Sequence, residues 1–301
     1  MEWLLYFMAR SLVLFLQALP LPVVARLGRI GGQLAYVLDA RHRRVARKNL
    51  QLCLGAEKTT DEISALVQEN FRRLGENFAC AVKTSTMTPG QLHPHLQFVG
   101  AEKILPHRAD HGPQSRIVAI GHFGNFELFA RFGQFVPVFK CATTYRGLRQ
   151  PSLNRLMQSL REKSGCRFFE RRTDAGALKA AMSDTGLLLG LLADQHAGDN
   201  GLLLPFFGHE CSTSAAPALL ALRYHCPLHT GICYRIGIGK WRIEAGDEIP
   251  TRENGQPRSP AAIMIDVNRA FETAIRRDPA NWFWVHNRWK ALYKKKPATA
   301  P

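Results

Sequence analysis

Hydrophobic positions follow two rhythms along this chain. The first third keeps a helical spacing. Residues 1–19 are almost continuously apolar, with Trp3, Tyr6 and Phe7 at the front and Pro20 and Pro22 closing the run. Residues 23–50 hold Gly28, Gly31 and Gly32 in a helical pattern and then turn basic. From Thr60 to Val82, the residues Ile63, Leu66, Val67, Phe71, Leu74 and Phe78 recur on one helix face. Thr60, Asp61 and Glu62 supply its start signal. Residues 86–114 read as loop, with Phe98-Val99 a short strand.

Beyond that point short apolar runs alternate with helical patterns. Strands are predicted at Ile117–Ile120, at 136–144, at Gly165–Phe169 and at Gly186–Ala193. The last is nearly unbroken, which marks a central parallel strand buried on both faces. Helices are predicted at 153–163, 175–183, 215–224 and 261–277, and a strand pair at 228–249 turns at Gly237-Ile-Gly-Lys. Pro205-Phe206-Phe207-Gly208 reads as an exposed aromatic turn after a glycine-bearing loop, and Ser212, Thr213 and Ser214 as caps of the following helix. The pattern predicts one α/β domain with a mixed, largely parallel central sheet flanked by helices, plus an N-terminal apolar membrane-associated helix. The division is 1–22 anchor or interfacial helix, 23–293 the α/β body and 294–301 basic tail.

The apolar start is marginal as a span. Crossing a bilayer takes roughly 20 apolar residues. Arg10 lies near the middle of this run, and a central arginine costs on the order of 3 kcal/mol. A helix that half inserts, with the arginine snorkelling, is an equal reading, and a buried core helix is the third. Glu2 in place of a basic start, and the lack of a small-x-small cleavage site, argue against a signal peptide. If the run does span, the arginines that follow place the body in the cytoplasm.

The chain has 301 residues and a formal net charge of +16. Arg41, Arg43, Arg44, Arg47 and Lys48 form one basic patch, and Arg288, Lys290, Lys294, Lys295 and Lys296 another. Such an excess suits acidic partners: anionic lipid, an acidic carrier protein or nucleic acid. The aromatic and cationic finish, Asn281 to Lys290, superficially fits a nucleic-acid binder, though tryptophan beside cations suits a bilayer interface equally. Seven scattered cysteines without a C-x-x-C pair argue against a disulfide scaffold or a zinc ribbon. His93, His95, His107 and His111 lie in loop sequence without acidic or cysteine partners, so no metal site is read there. No P-loop, dinucleotide fingerprint or G-x-S-x-G elbow is present, and no cofactor is implied.

The candidate chemistry lies at His122-Phe-Gly-Asn-Phe-Glu127. The strand Ile117–Ile120 and Gly121 deliver a histidine at a strand's carboxyl end, where open α/β sheets place their sites. Two helical residues five apart sit roughly 140° apart and do not face each other. With His122 on the strand-to-helix turn, and Gly121 and Gly124 to bend it, Glu127 can reach back to the ring. A carboxylate on one ring nitrogen fixes the tautomer and makes the other a general base for a hydroxyl nucleophile.

These motifs, taken in order, resemble the bacterial lipid A biosynthesis acyltransferases of the lysophospholipid acyltransferase superfamily. The signs are His122-Phe-Gly-Asn-Phe-Glu127 (the H-x-x-x-x-D/E motif), Tyr145-Arg146 before a Pro-Ser-Leu-Asn helix, and Arg172-Thr-Asp174. Asp194-Gln195-His196, Pro205-Phe206-Phe207 and Trp282-Phe-Trp-Val-His286-Asn-Arg288-Trp-Lys add to them. The glutamate of the dyad agrees with the lipid A branch, and the likeness runs from residue 1 to about 293. The resemblance implies transfer of a fatty acyl group from an acyl carrier protein, or coenzyme A, to a hydroxyl of a membrane glycolipid precursor. It implies an enzyme of the bacterial inner membrane with its catalytic body on the cytoplasmic side.

In that chemistry His122 takes the proton of the attacking alcohol and Glu127 orients its ring. Arg146 is the expected ligand of the oxyanion or of a substrate phosphate, aided by backbone N–H groups near Gly124. Asp194, ending the central strand, is expected to brace Arg146 or another base. Arg172 is read as a phosphate ligand and Asn125 as positioning substrate or closing the turn. Cys141 and Ser115 lie outside the motif, so no acyl-enzyme is expected. The competing readings are an acyltransferase for another lipid, such as a glycerophospholipid, a lipoamino acid or a mannosylated inositol lipid, a basic nucleic-acid-binding protein, and a membrane scaffold with a dead site.

Overall fold

The computed structural model describes residues 2–105, 114–184 and 186–290. His107, His111 and the basic tail 294–301 lie outside the described residues. Four helices open the chain: α1 (Glu2–Ala18), α2 (Leu21–Leu38), α3 (Ala40–Leu54) and α4 (Thr60–Thr84). The start of α4 is set by Thr59, one residue before the expected one. The Thr59 hydroxyl accepts from Glu62 N–H while the Glu62 carboxylate accepts from Thr59 N–H. This reciprocal cap satisfies two otherwise orphaned donors.

Helix α2 lies against α4 backbone to backbone. A Cβ added at Gly32 would stand 2.1 Å from the Phe71 carbonyl oxygen, and one at Gly75 would stand 2.1 Å from that of Gly28. Gly28 and Gly32 therefore make a close helix crossing, while Gly31 faces open space. A buried ion cluster locks it. Glu76, fully buried, accepts from Arg235 Nε at 2.8 Å and from Gly239 N–H at 2.9 Å, with Arg29 of α2 at 3.4 Å.

The rest of the chain builds the sheet. After the short helix α5 (Pro89–Leu92), β1 (Leu96–Val99) and the short helix α6 (Ala101–Ile104) come β2 (Arg116–Ile120), β3 (Lys140–Tyr145), α7 (Pro151–Arg161) and β4 (Arg167–Glu170). Then follow α8 (Ala175–Ser183), β5 (Leu187–Leu192), β6 (Leu202–Phe206), β7 (His209–Thr213), α9 (Ala216–Arg223), β8 (Leu228–Gly237), β9 (Lys240–Ile249) and α10 (Pro260–Arg277). Seven strands form one sheet in the order β1-β9-β8-β2-β5-β3-β4. Every neighbouring pair is parallel except the β8–β9 hairpin. The expected mixed, largely parallel α/β sheet is thus present, with β2 at its centre. The apolar first helix is present too, but no helix among the described residues is long and apolar enough to cross a membrane.

Four local expectations are corrected. Phe126–Gln134 is a 3-10 segment rather than an α-helix. Strand β3 begins at Lys140, because 136–139 form a turn. Phe206 and Phe207 are buried, since β6 and β7 pair as an antiparallel hairpin that carries both rings into the core. Ser212 and Thr213 belong to β7, and the N-cap of α9 is Ala215; of the three only Ser214 meets the helix start, accepting from Ala216 N–H.

The aromatic finish is also an interior element. Trp282, Trp284 and Trp289 are at most 1% exposed and Arg288 is fully buried. Phe206 stacks on Trp289, and Trp282 meets Trp284 edge to face at 4.8 Å. These side chains cannot read a nucleic acid or rest in a headgroup layer, because the hairpin β6–β7 and α10 already cover them.

Candidate active site

The pairing of β2 with β5 builds the centre of the site. Ile120 lies beside Leu192, and Ala193 N–H donates to the Ile120 carbonyl at 3.0 Å. The residues that follow each strand therefore emerge side by side. His122 Nδ1 stands 2.8 Å from Asp194 Oδ1, and the His122 backbone N–H donates to Asp194 Oδ2 at 2.8 Å. Trp282 Nε1–H donates to the same Oδ2, also at 2.8 Å. The ring sits between Phe126, with centroids 4.7 Å apart, and Phe283, at 5.6 Å.

This arrangement fixes a charge state. Burial opposes ionisation of Asp194, but the facing His122, its two hydrogen bonds and the indole N–H outweigh it and hold the carboxyl below the usual aspartate value. An ionised Asp194 accepts from Nδ1–H, which leaves Nε2 as the free basic nitrogen. Close by, burial pushes the His286 imidazole down to about 4. Its neutral Nε2 accepts the His196 backbone N–H at 3.0 Å. Arg288 donates to the Gln195 carbonyl and the Thr213 hydroxyl, both at 2.9 Å, and so clamps the turn after Asp194.

His122 borders a cavity of about 570 Å³. The sheet contributes Val118, Ile120, Leu188, Gly190 and Gly231, and α4 contributes Leu74, Phe78, Ala81 and Val82. The 3-10 segment adds Phe129 and Phe132, and α7 adds Met157 and Leu160. The acidic and basic residues of the lining are His122, Glu127, Arg131, Arg146, Arg161 and Glu244. An apolar cavity of this size with a few polar groups is the usual form of a small-ligand site. Two buried amide atoms in its lining, Asn125 Oδ1 and Gln158 Nε2, have no partner among the described residues.

The predicted residues are only partly brought together. His122, Glu127, Asn125, Gly124 and Arg146 all line the cavity. Glu127 does not orient His122: its carboxylate pairs with Arg161, Oε1 to Nη2 at 2.6 Å and Oε2 to Nε at 3.2 Å. The tighter 3-10 turn and the cation at the end of α7 account for this. Asp194 takes the expected place of Glu127: of its two expected partners, Arg146 or another base, it meets a base, His122, and Trp282 bonds it as well. Gly124 is not a free oxyanion donor, because its N–H is spent on the Asn281 carbonyl at 3.0 Å. Its φ of +51° and a virtual Cβ 2.5 Å from the Cys233 carbonyl show why a glycine is needed there.

Asn125 is buried, with Nδ2 3.5 Å from the Thr84 hydroxyl. Arg146 is exposed at the lining, with no hydrogen bond or ion pair to another described residue. Arg172 is exposed away from the cavity, its backbone N–H donating to Glu170. Burial pushes the Cys141 thiol in the lining up to about 11, so it stays protonated near neutral pH. Ser115 sits at the opposite end of β2, donating to the Asp184 carbonyl. Sequence reasoning missed Arg161 and Trp282. Only the aromatic and cationic finish signals the latter, and its composition suits a surface.

The chain belongs to the bacterial lipid A biosynthesis acyltransferase family, whose model matches residues 1–291. It is therefore an acyltransferase. It is similar to the lipid A biosynthesis palmitoleoyltransferase of Escherichia coli K12, 27% identical over 297 residues covering 96% of this chain and 91% of that protein. It is also similar to the lipid A biosynthesis lauroyltransferase of the same organism, 27% identical over 279 residues covering 90% and 87%. The lipid A biosynthesis acyltransferase of Haemophilus influenzae is 24% identical over 286 residues, 90% of this chain and 86% of that protein.

Proposed function

We propose that this acyltransferase moves a fatty acyl group from a carrier thioester to a hydroxyl of a lipid A-type glycolipid precursor, with His122 as general base. The observation that carries this reading is the Asp194–His122 pair opening onto a 570 Å³ apolar cavity. The cavity suits a hydrocarbon tail, and the names of the relatives suit the acceptor. His122 Nε2 removes the acceptor proton as its oxygen attacks the thioester carbonyl. The C–O bond forms, the C–S bond breaks, and the departing thiolate takes the proton back from the imidazolium. Asp194, held by Trp282, keeps the ring in the reactive tautomer and stabilises its charged form.

Arg146, exposed at the lining, and the Arg161–Glu127 pair are the cations available to an oxyanion or a phosphate. The unpartnered Asn125 Oδ1 is free to accept from a substrate hydroxyl or amide. The basic surface complements an acidic acyl carrier protein, the preferred donor over coenzyme A. Helix α1, with Trp3, Phe7 and Leu12 exposed, is the seat on the inner membrane, and the body faces the cytoplasm. Mass spectrometry of products tests this, using the full chain, carrier-bound and coenzyme A-bound acyl donors, and lipid A precursor against glycerophospholipid acceptors. An acylated lipid A precursor that is lost with His122→Ala is expected. An acylated glycerophospholipid instead would overturn the acceptor.

A further inference from the structure

The second helix has a face that the proposed anchor does not use. On α2 the buried positions Leu21, Val24, Ala25, Gly28 and Gly32 point at the body, mainly α4. On the opposite side Val23, Leu27, Ile30, Leu34, Val37 and Leu38 form a stripe, each between 38% and 80% exposed. Their spacing of three and four residues puts them within about 100° of one another around the helix. Six aliphatic side chains on one exposed helix face exceed the scattered apolar exposure of an ordinary surface.

We propose that this stripe lies in the acyl layer of an anionic bilayer, so that α2 is a second, in-plane membrane seat beside α1. Charge complementarity selects that occupant. Arg26 lies on the same helix, and Arg41, Arg44 and Arg47 are exposed on α3, directly after the stripe ends. An apolar face bordered by arginines matches hydrocarbon below anionic headgroups. A second copy of this chain, equally basic, would bring like charges together.

The position of the stripe gives it a consequence for the reaction. Helix α4 carries α2 on one side and walls the cavity on the other with Leu74, Phe78, Ala81 and Val82. Helix α1 touches both α4 and α7, two of the helices that line the cavity. Seating both α1 and α2 therefore fixes the height of the cavity relative to the bilayer, and a lipid acceptor can reach His122 without leaving the membrane. This consequence rests on the acyltransferase reading above; the docking itself does not.

The test is partitioning of the full chain onto vesicles of phosphatidylglycerol and phosphatidylcholine against vesicles of phosphatidylcholine alone. Leu27→Gln/Ile30→Gln/Leu34→Gln, all at exposed positions, is expected to weaken binding to anionic vesicles at least tenfold with an unchanged melting temperature. Arg41→Gln, Arg44→Gln and Arg47→Gln are expected to weaken it roughly fivefold each on anionic vesicles and little on neutral ones. Ile236→Gln, at an apolar residue exposed on β8, serves as the control and should change nothing. Unchanged partitioning of the triple variant overturns the proposal. So does a stable dimer in sedimentation that the triple variant dissolves. His122→Ala separates the two readings: it should bind vesicles normally and lose transfer, whereas the triple variant should keep transfer to a detergent-dispersed acceptor.

Discussion

The two faces of the central sheet are built from the same strands and end in opposite states. On β2, Ile117 and Ala119 enter a solid core with Phe123, Phe271, Trp282 and Trp284. The alternate residues, Val118 and Ile120, line the cavity. On β5, Leu187, Leu189 and Leu191 pack into the same core, while Leu188, Gly190 and Leu192 border the hollow side. A strand places successive side chains on opposite faces, so one apolar run serves both. The packed face holds Asp194 rigid through Trp282, and the hollow face leaves room for a reactant beside His122. Fixed donors and an open volume cannot share one face, because close packing removes the space that a substrate requires.

Removing the acid–base pair at the junction of the two faces should have the largest effect. His122→Ala and Asp194→Asn are each expected to lower kcat by about 10²–10⁴-fold. An Asp194→Asn enzyme with native turnover would break the assignment of Asp194. Next comes the solid face. Trp284→Ala should cost about 3–5 kcal/mol in chemical denaturation, because it leaves a large void. Gly190→Leu on the hollow face should instead change stability by less than about 1.5 kcal/mol. It should cut activity with long-chain donors at least about tenfold. Equal stability losses for the two substitutions would erase the distinction between the faces.

Smaller effects sharpen it. Glu127→Gln and Arg161→Gln should be non-additive in kcat/KM, the double variant losing no more than the worse single one, because the two side chains act as a pair. Acid should loosen the packed face first. With His286 held near 4 against an ordinary 6.5, the unfolded chain binds a proton across that window that the folded chain does not. Stability therefore rises with pH from 4 to 6.5 and falls on acidification, by up to about 3 kcal/mol. Asp194 adds a loss in the same direction at still lower pH, as its depressed carboxyl is protonated. Denaturation midpoints between pH 4 and 7 check this, and His286→Gln should flatten the slope.

Much of the fold was legible because its signals are local. The apolar run 186–193 showed a central strand, the spacing at 60–82 a helix, and Gly237-Ile-Gly-Lys a hairpin. The position of His122 at the end of a strand followed from Gly121 and the short run before it. The partner of that histidine was not legible. Glu127 is five residues away, within local reach of the ring and at the acidic position of the H-x-x-x-x-D/E motif; Asp194 is 72 residues away and arrives through strand pairing. The finish from Trp282 to Trp289 looked like surface because composition carries no burial. Its cover, Phe206 and α10, is remote in sequence.

By itself the sequence determined most of the strands and helices, which side chains can exchange a proton, and an apolar, basic front suited to lipid. Those properties reside in neighbouring residues and their periodicity. Only the tertiary structure decided that Asp194 rather than Glu127 holds His122, that Glu127 is bound to Arg161, and that one sheet face is hollow while the other is filled with tryptophan. Strand order and register set these outcomes by bringing distant residues within hydrogen-bond reach, and no local pattern encodes which strand ends will meet.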